Sequence, residues 1–256
     1  MSLSALGLLF LALPIVALLE RALSSGGLLA AASGQAVRDA LVLSLATTTI
    51  SLSVVVVVGT PLALLLARTD FRGKVLAEAL VDLPIVLPPS VAGLALLFAY
   101  GRSGLAGGAL ELAGVSLPFT TAAVVVAQVF VASPFYVRAV RSGFRSVDAE
   151  VEEAAQVDGA GEGEVLRRIT LPLARPAMGA GLVLAWARAL GEFGATILFA
   201  GAIAGRTQTL PLLVYGEFQA SLDDAVAAAA ILVLAALGVL LVVRLTHWPR
   251  GVGWFG

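Results

Sequence analysis

Asp148–Pro176 has the sequence DAEVEEAAQVDGAGEGEVLRRITLPLARP and is the longest polar stretch of the chain. Ser146 or Asp148 can cap a helix whose first turns carry glutamates, where negative charge is favourable. Asp158-Gly159 is a signal for a turn or a helix end. A second short helix is predicted over about Gly161–Ile169. The stretch therefore predicts a helix, a turn and a second helix.

Long uncharged runs lie on both sides of this stretch. Of the 256 residues, 59% are hydrophobic and 13% are charged, whereas soluble domains carry about 25% charged residues. Lipid must therefore be the solvent, and it offers no partner for bare backbone groups, so the spans must be helices. Each run approaches or exceeds the roughly 20 residues that a spanning helix needs. We predict six spans, over Leu3–Leu19, Ala40–Ala67, Leu83–Gly101, Leu112–Val137, Ala177–Ala204 and Ala225–Val243.

The first run could instead be the core of a cleaved secretory signal. No Lys or Arg precedes it, and its 17 residues are long for a signal core. We therefore expect a retained helix. Ser24–Gly34 and Gly101–Gly114 are rich in glycine and are expected to be loops with little structure of their own. Pro172 is expected to begin the fifth span.

The basic residues predict the orientation in the membrane. With the N-terminus inside, the segments 68–82, 138–176 and 244–256 are cytoplasmic and hold 11 of the 16 Lys and Arg residues, whereas the opposite side holds four. Arg188 belongs to neither set. Cytoplasmic loops carry an excess of Lys and Arg, so both termini are predicted to be cytoplasmic.

Several kinds of chemistry are excluded by composition. The chain has no cysteine, which excludes disulfides, thiol catalysis and cysteine-ligated metals, and its one histidine, His247, makes a histidine metal site unexpected. The only lysine, Lys74, lies in Arg72-Gly73-Lys74-Val75, which lacks the Gly-rich turn and the hydroxyl of a phosphate-binding loop. ATP hydrolysis is therefore not expected in this chain, and no nucleic-acid partner is expected.

The polar stretch resembles the EAA loop of type I ABC importer permeases. The matched positions keep the spacing of that family and are Glu153, Ala154, Ala155, Gly159, Ile169, Leu171 and Pro172. In that family the loop forms a coupling helix that sits in a cleft of the ATP-binding subunit. The two alanines make one face small, and Glu153 adds a charge for a basic partner. We call Asp148–Pro172 the coupling loop.

The resemblance implies an all-α, six-span permease of the cytoplasmic membrane that works as a homodimer. It also implies two ATP-binding cassette subunits, which hold the ATP and Mg, and an external substrate-binding protein. The expected organisation is a first helix and outer loop over 1–37, a permease core over 38–246 and a short cytoplasmic tail over 247–256. No cofactor is expected in this chain.

Two membrane-embedded features are candidates for a translocation path or gate. Three prolines and a serine near the start of the third run, Pro84, Pro88, Pro89 and Ser90, argue against a regular helix there. Such a break lines a transport path in some proteins, although a simple entry of the helix at the surface is the alternative. Arg188 and Glu192 are four residues apart on the fifth run. They either fix helix packing as a neutral pair or line the pathway.

Arg188–Thr196, with the sequence RALGEFGAT, resembles a segment of permeases for the tetrahedral oxyanions sulfate, molybdate and tungstate. Arg68–Lys74 and Leu83–Gly108 are similar to the molybdate and tungstate branch. The resemblance therefore implies import of molybdate or tungstate first and of sulfate next. A separate binding protein is expected to do most of the selecting, because these anions carry the same charge.

Two other classes of protein would account for parts of the sequence. Gly101–Gly104 fits the G-x-S-G pattern of a serine hydrolase, but the predicted topology places Ser103 a bilayer away from His247, the only possible base. An ion-coupled secondary transporter would account for Arg188, Glu192 and the broken third run. It would not account for the coupling loop.

Overall fold

A computed structural model describes residues 3–247, so that most of the predicted tail, including Arg250, lies outside the described residues. Thirteen α-helices and one π-helical turn account for most of this range, and no strand occurs in it. The helices are α1 Leu3–Ser24, α2 Gly27–Ser33, α3 Gln35–Arg68, α4 Lys74–Val86, α5 Pro89–Tyr100, α6 Gly107–Leu112, α7 Thr121–Arg145, α8 Ala149–Val157, α9 Glu162–Val165, α10 Leu171–Leu190, α11 Gly194–Phe199, α12 Leu210–Ala220 and α13 Leu222–His247, with the π-helical turn at Leu166–Thr170 between α9 and α10.

The chain forms two compact units, one from residues 3–44 and 202–247 and the other from Leu45–Gly201. In the first unit, α13 packs against α12, α2 and α1. The Leu210 N–H donates to the Ser44 hydroxyl oxygen at 2.7 Å, and Arg21 pairs with Asp223 at 3.0 Å. The apolar core of this unit is formed by Val37, Ala40, Leu210 and Leu213.

The second unit is built around α7, which packs against α10, α4 and α11. One face of α7 is apolar and buried, and a polar seam joins it to α3. Gln128 accepts a hydrogen bond from the Ser51 hydroxyl at 2.9 Å and donates to Thr48 at 3.4 Å. The Tyr136 and Thr60 hydroxyls are 2.9 Å apart. These polar side chains between α3 and α7 are thus paired with one another, as an apolar surrounding favours.

Small residues allow α7 and α10 to approach closely. A methyl group added at Gly143 would lie 2.5 Å from the Ala177 Cβ, and one added at Gly181 would lie 2.9 Å from the Ala139 Cβ. Lipid tails are as apolar as leucine, so helices in membranes associate through such close contacts rather than through the hydrophobic effect. The glycines therefore set the distance between these two helices.

Ion pairs hold α4 against the end of α7. Glu78 pairs with Arg141 at 2.9 Å and with Arg145 at 3.3 Å, and Asp82 lies 3.7 Å from Arg138. The three arginines recur at helical spacing and share one face. α7 therefore continues as a regular helix to Arg145, beyond Val137, where the predicted fourth span ended.

The start of α4 is also held by charge. Lys74 donates to Asp70 at 2.8 Å across the turn that precedes the helix. This hydrogen bond and the charge of Lys74 hold the pKa of the Asp70 carboxyl below its usual value.

The third uncharged run forms two helices rather than one. The run is not a regular helix, as the three prolines predicted, although Pro84 itself lies inside α4. The interruption lies at Leu87 and Pro88, both of which have extended backbone, and α5 begins at Pro89. Proline at the first position of a helix loses no hydrogen bond, because that N–H has no partner within the helix.

The fourth and fifth helices differ from the predicted runs. α7 begins at Thr121, not Leu112, because Gly114 has a positive φ of 72° and the Thr120 hydroxyl caps α7 by accepting from Ala123 N–H at 3.2 Å. α10 ends at Leu190 rather than continuing to Ala204. Contrary to expectation, Pro172 does not begin the helix. The π-helical turn joins α9 to α10 without a gap, so the chain is already helical before this proline. The segments expected to be loops contain α2 and α6.

Within residues 3–247, five helical segments are long and apolar enough to cross a membrane. They correspond to the first, second, fourth, fifth and sixth predicted spans, and the third corresponds to α4 and α5, of which α5 is a short apolar helix. The all-helical membrane fold is confirmed. The count of six spans and the sides of the two termini stay predictions.

We expect Gly143→Ala to destabilise the protein, because the added methyl group collides with Ala177 on α10. Overpacking of this kind costs about 1–3 kcal/mol. Gly179→Ala is the matched control, since no described atom lies within 4 Å of a methyl group at that position on the same helix pair. Size-exclusion chromatography after heating measures both. Equal melting temperatures for the two variants would contradict the close-packing account.

Candidate functional site

The coupling loop begins with a capped helix. The Glu150 N–H donates to the Asp148 carboxylate at 3.0 Å, so Asp148 is the cap of α8. Ser146, the other candidate, donates its hydroxyl hydrogen to the Gly143 carbonyl at 2.8 Å and closes the end of α7. The cap separates α8 from α7 and sets the direction in which α8 leaves.

Gly159 turns the chain at the end of α8. Its φ is +97°, a left-handed conformation that residues with a side chain rarely adopt. The Gly159 N–H donates to the Gln156 carbonyl at 3.0 Å, and the Ala160 N–H donates to the Ala155 carbonyl at 2.9 Å. The turn therefore satisfies the free carbonyls at the end of the helix, as predicted from Asp158-Gly159.

The path from the loop into α10 contains a π-helical turn over Leu166–Thr170. The Leu171 N–H donates to the Leu166 carbonyl, five residues back instead of four. Pro172 follows immediately and has no N–H to donate. The wider turn lets the helix continue through a proline that would otherwise end it.

The seven motif residues lie on two sides of this loop. Glu153, Ala154 and Gly159 are exposed, whereas the other four, Ala155, Ile169, Leu171 and Pro172, are partly buried. A shallow depression of about 340 Å³ opens between α8 and the helix that follows the turn. It brings three motif residues together and is lined by Ala155, Asp158, Gly159, Ala160, Glu164, Val165, Arg168 and Ile169. A small-residue surface of this shape suits the approach of another protein.

Glu152 was not singled out as a site residue from the sequence, yet it joins the loop to two other elements. Arg68 at the end of α3 donates to its Oε1 at 2.8 Å, and the Thr170 hydroxyl donates to the same oxygen at 2.5 Å. Glu153 makes no ion pair with the described residues. No local pattern could have identified the Arg68 partner, which is 84 residues away in the chain.

Arg188 and Glu192 form a pair, but not on one helix as predicted. Because α10 ends at Leu190, Glu192 lies in the turn before α11. Arg188 Nη1 is 2.5 Å from Glu192 Oε2, and Glu192 Oε1 accepts from the Ala195 N–H at 2.7 Å. The Glu192 side chain is 1% exposed and that of Arg188 is 28% exposed. The carboxylate therefore caps α11 while its charge is balanced by a partly open arginine.

The proline break lies beside this turn. A methyl group at Gly194 would lie 2.5 Å from the Pro89 Cβ, and one at Gly93 would lie 2.9 Å from the Ala195 carbonyl oxygen. Pro88, Pro89 and Ser90 are exposed. The start of α5 and the α10–α11 turn thus form one locality, whereas Pro84 is buried within α4.

Comparison with known sequences identifies relatives over most of the chain. Residues 59–250 match the family described as binding-protein-dependent transport system inner membrane component. The molybdenum transport system permease protein ModB of Mycobacterium tuberculosis is 45% identical over 237 residues, 92% of this chain and 89% of that protein. The probable transport system permease protein NifC of Clostridium pasteurianum is 43% identical over 209 residues, 80% of this chain and 72% of that protein.

Two solved structures have a similar fold. One is a bacterial ABC transporter involved in the import of the acidic polysaccharide alginate, with a TM-score of 0.75, 19% identity and coverage of 94% of this chain and 91% of that chain. The other is a bacterial alginate ABC transporter in complex with an alginate pentasaccharide-bound periplasmic protein, with a TM-score of 0.74, 22% identity and coverage of 93% and 88%. The likeness confirms the predicted ABC importer permease fold.

We expect Glu192→Gln and Arg188→Met each to lower the melting temperature. Removing one partner of a buried ion pair costs up to about 3–5 kcal/mol, and the part exposure of Arg188 reduces this. The double variant should recover part of the loss, because it leaves no unpaired charge. Asp223→Asn, which breaks the exposed Arg21 pair, is the control and should have little effect. Additive losses in the double variant would refute a coupled pair.

Proposed function

This chain belongs to the binding-protein-dependent transport system inner membrane component family, and on that premise we propose that it imports a tetrahedral oxyanion. Molybdate or tungstate is the proposed substrate, with sulfate next. The observation that carries the proposal is the 45% identity to a molybdenum transport permease over 92% of the chain. The chain is a multi-pass permease of the cytoplasmic membrane, and ATP hydrolysis belongs to a separate subunit.

The coupling loop is the proposed docking site for that ATP-binding subunit. Ala154 and Gly159 are exposed, so a groove of the partner can approach the backbone, and the free carboxylate of Glu153 can pair with a basic residue there. The capped α8 and the turn at Gly159 make the loop a rigid protrusion. An ion-coupled secondary transporter would have no use for such a protrusion.

The proposed complete transporter holds two copies of this chain, two ATP-binding subunits carrying ATP and Mg, and an external binding protein. One solved relative in fold was crystallised with a periplasmic protein, which supports the last partner. A loaded binding protein docks outside and ATP closes the paired ATP-binding subunits. Their movement swings both coupling loops, the permease opens outward to accept the anion, and hydrolysis returns it to an inward-open state.

The proposed orientation places the coupling loop and both termini in the cytoplasm. This rests on the excess of Lys and Arg in the segments 68–82, 138–176 and 244–256. In the described part of these segments, Arg138, Arg141 and Arg145 lie together on the end of α7. The count supports the orientation even though these arginines are paired, since acidic residues contribute little to the rule.

The proposed path or gate is the locality where α5 begins beside the α10–α11 turn. The backbone leaves the helix at Leu87 and Pro88, and exposed Pro89 and Ser90 begin α5; irregular backbone is tolerated in membranes only beside protein or a water-filled cavity. The open part of the Arg188 side chain supplies positive charge for a doubly charged anion. Pro84 also belongs to the proposed set and lies buried within α4, before the break. Glu192 holds the α10–α11 turn in place. Its negative charge also weakens the attraction of Arg188 for the anion, so that the anion is released rather than trapped.

Gly159→Val should uncouple ATP hydrolysis from uptake, because valine at φ +97° distorts the turn that directs α8. The left-handed conformation costs a residue with a side chain about 1–2 kcal/mol. Gly161→Val is the matched control, since Gly161 has an ordinary φ of −72° and no described atom within 4 Å of an added methyl group. Uptake and ATPase activity are measured on the complete transporter in proteoliposomes. Unchanged uptake by the Gly159 variant would count against the coupling role.

Arg188→Ala should reduce molybdate uptake by about tenfold, the equivalent of about 1.4 kcal/mol of lost anion attraction. Assembly with the ATP-binding subunit should be retained, because Arg188 lies outside the coupling loop. Radiolabelled molybdate uptake and co-purification measure the two effects. Since the change also leaves Glu192 unpaired, Arg188→Lys is compared in parallel and should retain most transport. Wild-type transport by Arg188→Ala would reduce the arginine to a packing role.

A further inference from the structure

α8 is held to the rest of its unit by polar contacts rather than by an apolar core. None of its residues, all of which the structure describes, is fully buried. A helix without a buried face has little hydrophobic stabilisation of its position. The position of α8 therefore depends on the contacts of individual side chains.

One carboxylate oxygen joins α8 to the ends of two long helices. Glu152 Oε1 lies 2.8 Å from Arg68 Nη2, at the last residue of α3, and 2.5 Å from the Thr170 hydroxyl, immediately before α10. The side chains are largely enclosed, with 16% of Glu152 and 29% of Arg68 exposed, and Thr170 is buried. Such a charge-assisted contact is stronger than an exposed surface pair.

Two neighbouring glutamates of α8, Glu152 and Glu153, have different surroundings. Residues one position apart on an α-helix are about 100° apart around its axis. Glu153 is exposed, whereas Glu152 faces α3 and Thr170. One side of α8 is thus available to an external protein while the other is tied to the membrane helices.

The contact with Thr170 joins α8 to a π-helical turn at the start of α10. Thr170 is the last residue of the π-helical turn, where the hydrogen bond spans five residues and Pro172 follows. Single π-helical turns within α-helices are frequent at functional sites. A displacement of α8 would pull on Thr170 and on Arg68 at the same time.

We propose that Glu152 is the positioning residue through which a displacement of α8 reaches α3 and α10. The inference rests on the proposed function, in which an ATP-binding subunit moves α8. Glu153 receives the movement from that subunit and Glu152 passes it on. Loss of Glu152 leaves a docked subunit that hydrolyses ATP with less transport.

The test uses the complete transporter in proteoliposomes, with its binding protein and molybdate as the transported anion. Glu152→Ala should lower the uptake per ATP hydrolysed by about fivefold or more, the range of a typical coupling free energy. Co-purification of the ATP-binding subunit should be unchanged. Glu20→Gln, which changes an exposed glutamate of α1 outside the coupling loop, is the control and should keep the wild-type ratio.

Exchanging the charges of Glu152 and Arg68 distinguishes the loss of this ion pair from a general disruption of the structure. Arg68→Glu alone should lower the ratio, and Glu152→Arg with Arg68→Glu should recover it in part, since arginine can also donate to the Thr170 hydroxyl. Thr170→Val, which keeps the size of the side chain, should give a smaller loss than Glu152→Ala and covers the case in which the alanine variant fails to assemble.

Wild-type uptake per ATP in Glu152→Ala, or no recovery in the exchanged pair, would overturn the proposal for Glu152. The proposed function itself would be overturned if the binding protein loaded with molybdate, tungstate or sulfate did not stimulate the ATPase activity of the wild-type transporter. The two failures are therefore distinguishable.

Discussion

Hydrocarbon provides no hydrogen-bond partner to a peptide group, and this constraint decides how the chain may depart from a helix. At the first interruption, Pro88 and Pro89 have no N–H to satisfy, and Leu87 donates to the Leu83 carbonyl at 3.1 Å. At the second, Glu192 supplies a side-chain acceptor to the Ala195 N–H. Both interruptions therefore leave fewer backbone donors without a partner. They meet where Gly194 packs on Pro89.

The features that local chemistry determines could be predicted from the sequence. Asp158-Gly159 indicated the turn because only glycine adopts φ +97° readily, and apolar runs indicated the helices. The helix ends were less accurate, because a charged residue marks the limit of lipid exposure rather than the end of a helix. Arg145 stays helical since Glu78 neutralises it. The partner of Glu152 could not be predicted, because residues 84 positions apart are brought together only by the packing of α3 beside the loop.

Two glutamates illustrate how the same side chain serves opposite purposes in this unit. Glu192 is enclosed, neutralised by Arg188 and bound to the backbone of its own turn, so it stabilises one arrangement. Glu152 bridges elements that are distant in sequence and contacts the last residue of a π-helical turn. The first suits a fixed wall of the proposed path. The second suits a moving connection between the coupling loop and the membrane helices.

The account depends on α8 lying in the cytoplasm, where an ATP-binding subunit can grip it. The chain has no cysteine, so Glu153→Cys introduces a single thiol that reports its own side of the membrane. The decisive measurement is labelling of this thiol by a membrane-impermeant maleimide in right-side-out and in inverted vesicles. The account predicts labelling only in inverted vesicles, and protection when the ATP-binding subunit is present. Labelling in right-side-out vesicles would contradict it.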